Sequence, residues 1–243
     1  MDKVTAQSAN LLCSTAELDI GAPLRTRLVD NPESGVSVVT AGDNWNDPSF
    51  NRWRTDRLLF GDGAGAFALS REQGFARILS MVTYTDPELE GAHRGSQPFG
   101  PFQYSADHPI NLNRRRREFL ETVDEADVWH RIERGQRQVA HEALDEAGSS
   151  VKEMDFLVTP HLGAALTVKQ CLRPLGECDL SRTAWDFSRR TGHLGAADQL
   201  AGFNYLAESG RLNQGMRIML MGVGGGFSWT CVVVEIEETP GYS

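Results

Sequence analysis

The chain has 243 residues, 40% of them hydrophobic and 23% charged, with a net charge of −9 and an isoelectric point near 5.2. That length holds one large domain or two small ones with an ample core. The acidic balance argues against a nucleic-acid or anionic-membrane partner, and no apolar run is long enough to cross a bilayer. The first residues lack the basic flank and apolar core of a signal peptide. Cys13, Cys171, Cys178 and Cys231 are scattered without zinc-site spacing. Reduced thiols in a cytoplasm are the expectation.

"VTAQSANLLCST" (4–15) reads as a short strand breaking into a helix, with two possible nucleophiles, Ser8 and Cys13. "GVSVVTAGDN" (35–44) reads as a buried strand. "LLFGDGAGAFALSRE" (58–72) is a tight glycine loop entering another strand. It has neither the dinucleotide-binding glycine spacing nor the Gly-Lys-Ser/Thr of a P-loop. "FARILSMVTYTD" (75–86) alternates as a strand of an open antiparallel region, and the Gly- and Pro-rich 88–113 is expected to be a long surface loop. Arg114 to Arg117 read either as a solvated helix start or as an anion-docking patch.

Phe119, Val123, Ile132, Val139 and Ala143 recur at helical spacing up to Gly148, with Gly135 as a possible break. "DFLVTP" is a buried strand, "GAALTVKQCLRPLG" a helix, and "GHLGAADQLAGFNYLAESGRL" a glycine-led helix. "MRIMLMGVGGGFSWTCVVVEIE" is a hairpin turned by a five-residue loop holding four glycines. Strands alternating with helices predict a layered α/β fold. There is no repeat of 20–50 residues. His93, His108, His130 and His141 stand in no motif and are expected at the surface.

"LLFGDGAGAFALS", "FLVTPHLGAA", "TGHLGAADQLAG" and "IMLMGVGGGFSWTCVVVEI" occur in that order. Together they resemble the β-ketoacyl-acyl carrier protein synthase III (KAS III) family of the thiolase superfamily, over nearly the whole chain. The resemblance implies a thiolase-like αβαβα architecture, here as the nucleophile region plus the C-terminal half. Residues 1–110 would be the remainder of the N-terminal half and 111–243 the C-terminal half. The match starts just upstream of the nucleophile strand, so most of the first half is expected to be missing. It also implies acyl transfer from acyl-coenzyme A or acyl carrier protein through a covalent acyl-enzyme, with no metal or redox cofactor, and a homodimer.

Laid on the family's strand-to-helix step, Ser8 stands at the nucleophile elbow, where free N–H groups and the helix dipole favour oxyanions. Cys13 falls deeper in the helix and reads as a small buried hydrophobe; it is the alternative nucleophile. The family's histidine falls on His161, and its asparagine is replaced by His193, followed by Asp198. A serine needs a base, so the implied set is Ser8, His193 oriented by Asp198, and His161 at the thioester carbonyl. The backbone N–H groups of Ser8 and Gly225 would form the oxyanion hole. This is similar to serine-nucleophile acyltransferases of polyketide starter selection. The alternatives are a decarboxylative 3-oxoacyl synthase and a non-catalytic partner subunit.

Overall fold

The computed structural model describes residues 3–4, 36–53, 55, 58–70, 74–97 and 109–241. Its strands are β1 (Lys3–Val4), β2 (Val36–Asp43), β3 (Gly63–Ser70), β4 (Ala76–Thr85), β5 (Phe156–Val158), β6 (Arg217–Gly224) and β7 (Ser228–Ile236). Its helices are α1 (Gly91–Arg94), α2 (Leu112–Leu120), α3 (Glu125–Glu146), α4 (Ala164–Thr167), α5 (Trp185–Thr191) and α6 (Asp198–Glu208). Past α4 the chain stays helical through Leu175, in wider and then tighter turns, and ends at Gly176 with φ of 77°.

One sheet runs β1-β4-β7-β6-β5, and β2 and β3 form a separate antiparallel pair. Among the described strands, β5 and β6 pair in parallel and the other pairs are antiparallel. The pleat sends alternate residues of β6 and β7 to opposite faces. Ile218, Leu220, Val232 and Val234 meet Leu200, Phe203 and Leu206 of α6, together with Phe67 and Leu69 of β3. Met219, Met221, Cys231 and Val233 meet Val128, Ile132, Val139 and Ala143 of α3. The layers are therefore α3, the five-stranded sheet, α6 and the β2–β3 pair. Each fully buried Leu, Ile or Phe contributes about 1.5–3 kcal/mol relative to an exposed one.

Several expectations are corrected. The 35–44 strand is not buried: Val39 is 6% exposed, but Val36 and Val38 are 56% and 65% exposed, because only one face of the β2–β3 pair meets α6. The 117–148 helical run divides at 121–124, where Asp124 caps α3 by accepting from Ala126 N at 3.0 Å. Gly135 lies inside an unbroken α3, where a Cβ would stand 2.6 Å from the Trp229 ring. The 88–113 stretch is not all surface loop. Leu89 is 1% exposed, α1 follows it, and α2 opens at Leu112 behind the cap of Asn111. Gly222 and Gly224 belong to β6; Gly224 pairs with Ser228, leaving 225–227 as the turn. β4 lies in the five-stranded sheet, so the two sheets part between Ser70 and Ala76.

Candidate active site

Asp198 opens α6 and is fully buried. Its Oδ1 accepts from Leu194 N at 2.6 Å and its Oδ2 accepts from His161 N at 2.8 Å. His193 Nδ1 lies 2.5 Å from the same Oδ2. A buried carboxylate needs such donors, and the helix N-terminus adds its own. Burial works against the Asp198 charge, but His193, His161 and the backbone N–H groups outweigh it and hold the carboxyl below the usual range. Burial also opposes the His193 cation, yet Asp198, with help from Asp43, lifts the imidazole above its ordinary value. With Nδ1–H given to Asp198, the neutral ring keeps its lone pair on Nε2.

The glycines around His193 serve close approach. Gly61 N donates to His193 O at 3.0 Å and His193 N donates to Leu59 O at 2.7 Å. A Cβ on Gly61 would stand 2.1 Å from Thr191 O, and one on Gly192, whose φ is 75°, 2.5 Å from Leu59 O. This contact explains why "FGDG" and "TGH" occur together, far apart in sequence. Gly195, with φ of 63°, leaves room for Asp43, whose carboxylate accepts from Ala196 N at 2.8 Å.

His193 lies on the wall of a cavity of about 370 Å³. The wall beside it is aromatic: Phe60 meets its ring edge-on at 5.4 Å, and Trp45 and Phe50 pack on Phe60 at 4.6 and 5.0 Å. Leu162, Trp129 and Phe119 continue this apolar lining, and Gly225 and Phe227 close it from the hairpin turn. Asp86 holds that turn through paired backbone bonds to Phe227 at 2.8 and 3.0 Å. The Asp86 carboxylate in turn takes both Arg131 Nε and Nη2, at 2.8 and 2.6 Å, fastening the turn to α3.

The structure brings His193, Asp198 and Gly225 to this region, but not the His161 side chain. The His161 imidazole lies behind Asp198, with Nδ1 3.0 Å from Gly192 O, its ring edge-on to Phe187 at 5.6 Å, and its side chain 1% exposed. Its Nε2 is buried without a partner among the described residues, beside Gly202. Burial lowers its pKa. The His161 ring packs against Asp198, and His161 is not among the described residues lining this cavity. Ser8 and Cys13 lie outside the described residues. Burial pushes the Cys171 thiol up to about 12 and raises Cys231 as well, so neither offers a thiolate.

Arg114 and Arg117 are exposed, whereas Arg115 and Arg116 line the cavity. His130 and His141 are exposed, and His108 lies outside the described residues. His93 is exposed too, but it also lines the cavity. The sequence held little signal for His93, because α1 is too short to show a period. Trp45 and Trp129 were likewise missed: ring packing across β2, α3 and the loops carries no sequence spacing.

A family model described as "3-Oxoacyl-[acyl-carrier-protein (ACP)] synthase III C terminal" matches residues 144–236. The β-ketoacyl-[acyl-carrier-protein] synthase III of Desulfitobacterium hafniense is 30% identical over 197 residues, 79% of this chain and 54% of that protein. The chain is thus similar to KAS III proteins, most of all in its C-terminal part. It spans about half the length of the curated KAS III relatives it matches. Among solved structures, the acyltransferase ChlB3 superposes with a TM-score of 0.84 at 30% identity, over 92% of this chain and 66% of that one. The 3-oxoacyl-(acyl carrier protein) synthase III of Pseudomonas aeruginosa superposes with a TM-score of 0.66 at 17% identity, over 97% and 66%. That second likeness shows the shared mixed α/β fold of the KAS III proteins.

Proposed function

We propose that the whole protein is an acyltransferase of the KAS III type, working through an acyl-serine. One observation carries the reading: a histidine held by a buried aspartate stands on the wall of an apolar cavity. In the proposed step, His193 Nε2 takes the proton of the Ser8 hydroxyl as its oxygen attacks the thioester carbonyl carbon. The C–S bond then breaks, and the departing thiolate of coenzyme A or acyl carrier protein takes that proton from the imidazolium. Asp198 stabilises the cation meanwhile. Gly225, with Ser8, is proposed to donate to the oxyanion. An acceptor thiol, alcohol or amine removes the acyl group by the reverse chemistry. Displacement at a thioester requires no metal or redox cofactor.

Simple transfer is favoured over decarboxylative condensation because the described cavity wall carries no His161 ring to hold an enolate oxygen. The likeness to the acyltransferase ChlB3 supports the same choice, and the role proposed for this chain lies in polyketide or related secondary metabolism. The exposed apolar face of β2 supports a homodimer. The unpaired thiols of Cys171, Cys178 and Cys231 support a reducing cytoplasm.

The test is to incubate the full-length protein with acyl-coenzyme A and map the adduct by mass spectrometry. An acyl group on Ser8 is expected. An adduct on Cys13, abolished by Cys13→Ala, would overturn the serine. No adduct with any thioester would favour a non-catalytic partner subunit.

A further inference from the structure

We propose that Arg131 is a positioning residue for acyl transfer: through Asp86 it holds the β6–β7 turn so that the Gly225 N–H stays aimed at the oxyanion. The inference rests on the acyl-transfer reading, with Gly225 as an oxyanion donor, and deepens it. Such a donor works only if it stands about 2.7–3.1 Å from the place the oxygen will take. Residues 225–227 are Gly-Gly-Phe, and glycine has the most backbone freedom to lose. A turn of that kind needs an outside hold.

The hold is built from the end of β4 and from α3. Asp86, the first residue past β4, exchanges both of its backbone hydrogen bonds with Phe227. Its carboxylate is buried, and Arg131 Nε and Nη2 grip the two oxygens at 2.8 and 2.6 Å. Arg131 Nη1 donates to Glu88 Oε2 at 2.5 Å, so all three guanidinium nitrogens are engaged. A bidentate pair of this kind fixes orientation as well as distance, and its burial protects it from screening.

The far end of the clamp is firmly seated. Arg131 stands inside the 22-residue α3, one turn before Gly135 on the same face. Gly135 lets the helix come so close to β7 that a Cβ there would stand 2.6 Å from the Trp229 ring. Trp229 in turn stacks on Phe227 at 5.6 Å and on Tyr84 of β4 at 5.9 Å. Phe227 is therefore held twice, through its backbone by Asp86 and through its ring by Trp229. The described residues lining the cavity include Val128, Trp129 and Ile132 of α3 but not Arg131. Arg131 thus acts through the turn and not on the acyl group. Arg134 Nη2, 4.0 Å from Asp86 Oδ2, keeps a cation beside the carboxylate when Arg131 is changed. What Arg131→Met removes is the grip.

The experiment is single-turnover acylation of the full-length protein by butyryl- and benzoyl-coenzyme A, resolved into limiting rate constant, amplitude and half-saturating concentration. Arg131→Met should lower the rate constant about tenfold and leave amplitude and half-saturation as in wild type. Loss of folded protein alone would lower the amplitude and spare the rate constant. Arg131→Lys, which keeps the charge without the fork, should recover part of the loss. Asp86→Asn should slow the step to a similar degree, and the double variant should be no slower than the slower single one, because the two residues act as one unit. Arg137→Met, which removes an α3 guanidinium paired only with Glu133 among the described residues, should acylate like wild type. A wild-type rate constant in Arg131→Met, a fall carried by amplitude alone, or additive losses in the double variant overturns the inference. If Arg131→Met does not fold, wild-type rate constants in both Arg131→Lys and Asp86→Asn overturn it instead. If wild type is acylated by neither thioester, the acyl-transfer reading itself falls.

Discussion

His193 Nδ1 lies 2.5 Å from Asp198 Oδ2, and the same carboxylate accepts from the backbone N–H groups of His161 and Leu194. Asp198 therefore does two jobs at once. It sets the tautomer of the ring on the cavity wall, and it fixes the two loops that meet there. His193→Ala should slow acylation by about 10²–10⁴-fold, the usual contribution of a positioned base. Asp198→Asn should slow it in the same direction, because an amide can favour the wrong tautomer. Single-turnover acylation with acyl-coenzyme A measures both. Rates equal to wild type in both variants would remove the pair from the mechanism.

The pH profile should carry the mark of the pair. The base must be neutral, and Asp198 lifts His193 above the ordinary histidine value. The acid limb of the acylation rate should therefore fall above about pH 6.5. Asp198→Asn should move that limb to lower pH. The stability signs follow from linkage. His193, with a raised folded pKa, contributes fully below about 6.5 and loses its contribution as pH rises through that raised value. Asp198, with a lowered folded pKa, contributes above about 3.9 and loses its contribution as pH falls through the lower value. The unfolding free-energy difference between wild type and His193→Asn should thus be largest near about pH 5 and shrink toward pH 8. A difference that grows on going alkaline would contradict the raised value.

Gly61→Ala should damage the site although it touches no reacting atom. Its Cβ would stand 2.1 Å from Thr191 O, a backbone atom that cannot swing aside. The bridge from Gly61 N to His193 O must then open. Acylation should fall at least tenfold, and the midpoint of urea unfolding should drop as well. A variant with normal rate and normal midpoint would show that the two loops do not meet this closely.

Gly135→Ala should destabilise the protein in spite of better helix propensity. Alanine favours a helix interior over glycine by about 1 kcal/mol, but here the methyl group would stand 2.6 Å from the fully buried Trp229 ring. Overpacking of that kind costs about 1–3 kcal/mol, so a net loss of up to about 2 kcal/mol is expected. Trp229→Phe in the same chain should recover part of the loss specific to Gly135→Ala. A double-mutant cycle by urea unfolding measures that coupling. Additive effects would mean that the two residues do not touch.

The sequence alone carried the period of α3, the alternation of β4, the glycine-turned hairpin of β6 and β7, and the motif order that resembles KAS III. These are local patterns, and periodicity reports them because one face of each element must be apolar. The spacing of His193 and Asp198 was legible for the same reason: five residues across a helix start bring them within reach of one another. Other outcomes turned on neighbours distant in sequence. Gly135 reads as a break until Trp229 is seen against it, and Val36 and Val38 read as core until β2 is seen to pack on one side only. His161 and His193 stand in equally suggestive motifs. In the fold the His161 ring packs behind Asp198, whereas the His193 ring, held by the same carboxylate, lines the cavity. His93 had no motif at all. It lines the cavity close to the β6–β7 turn, where a Cβ on Gly225 would come within 3.2 Å of the ring.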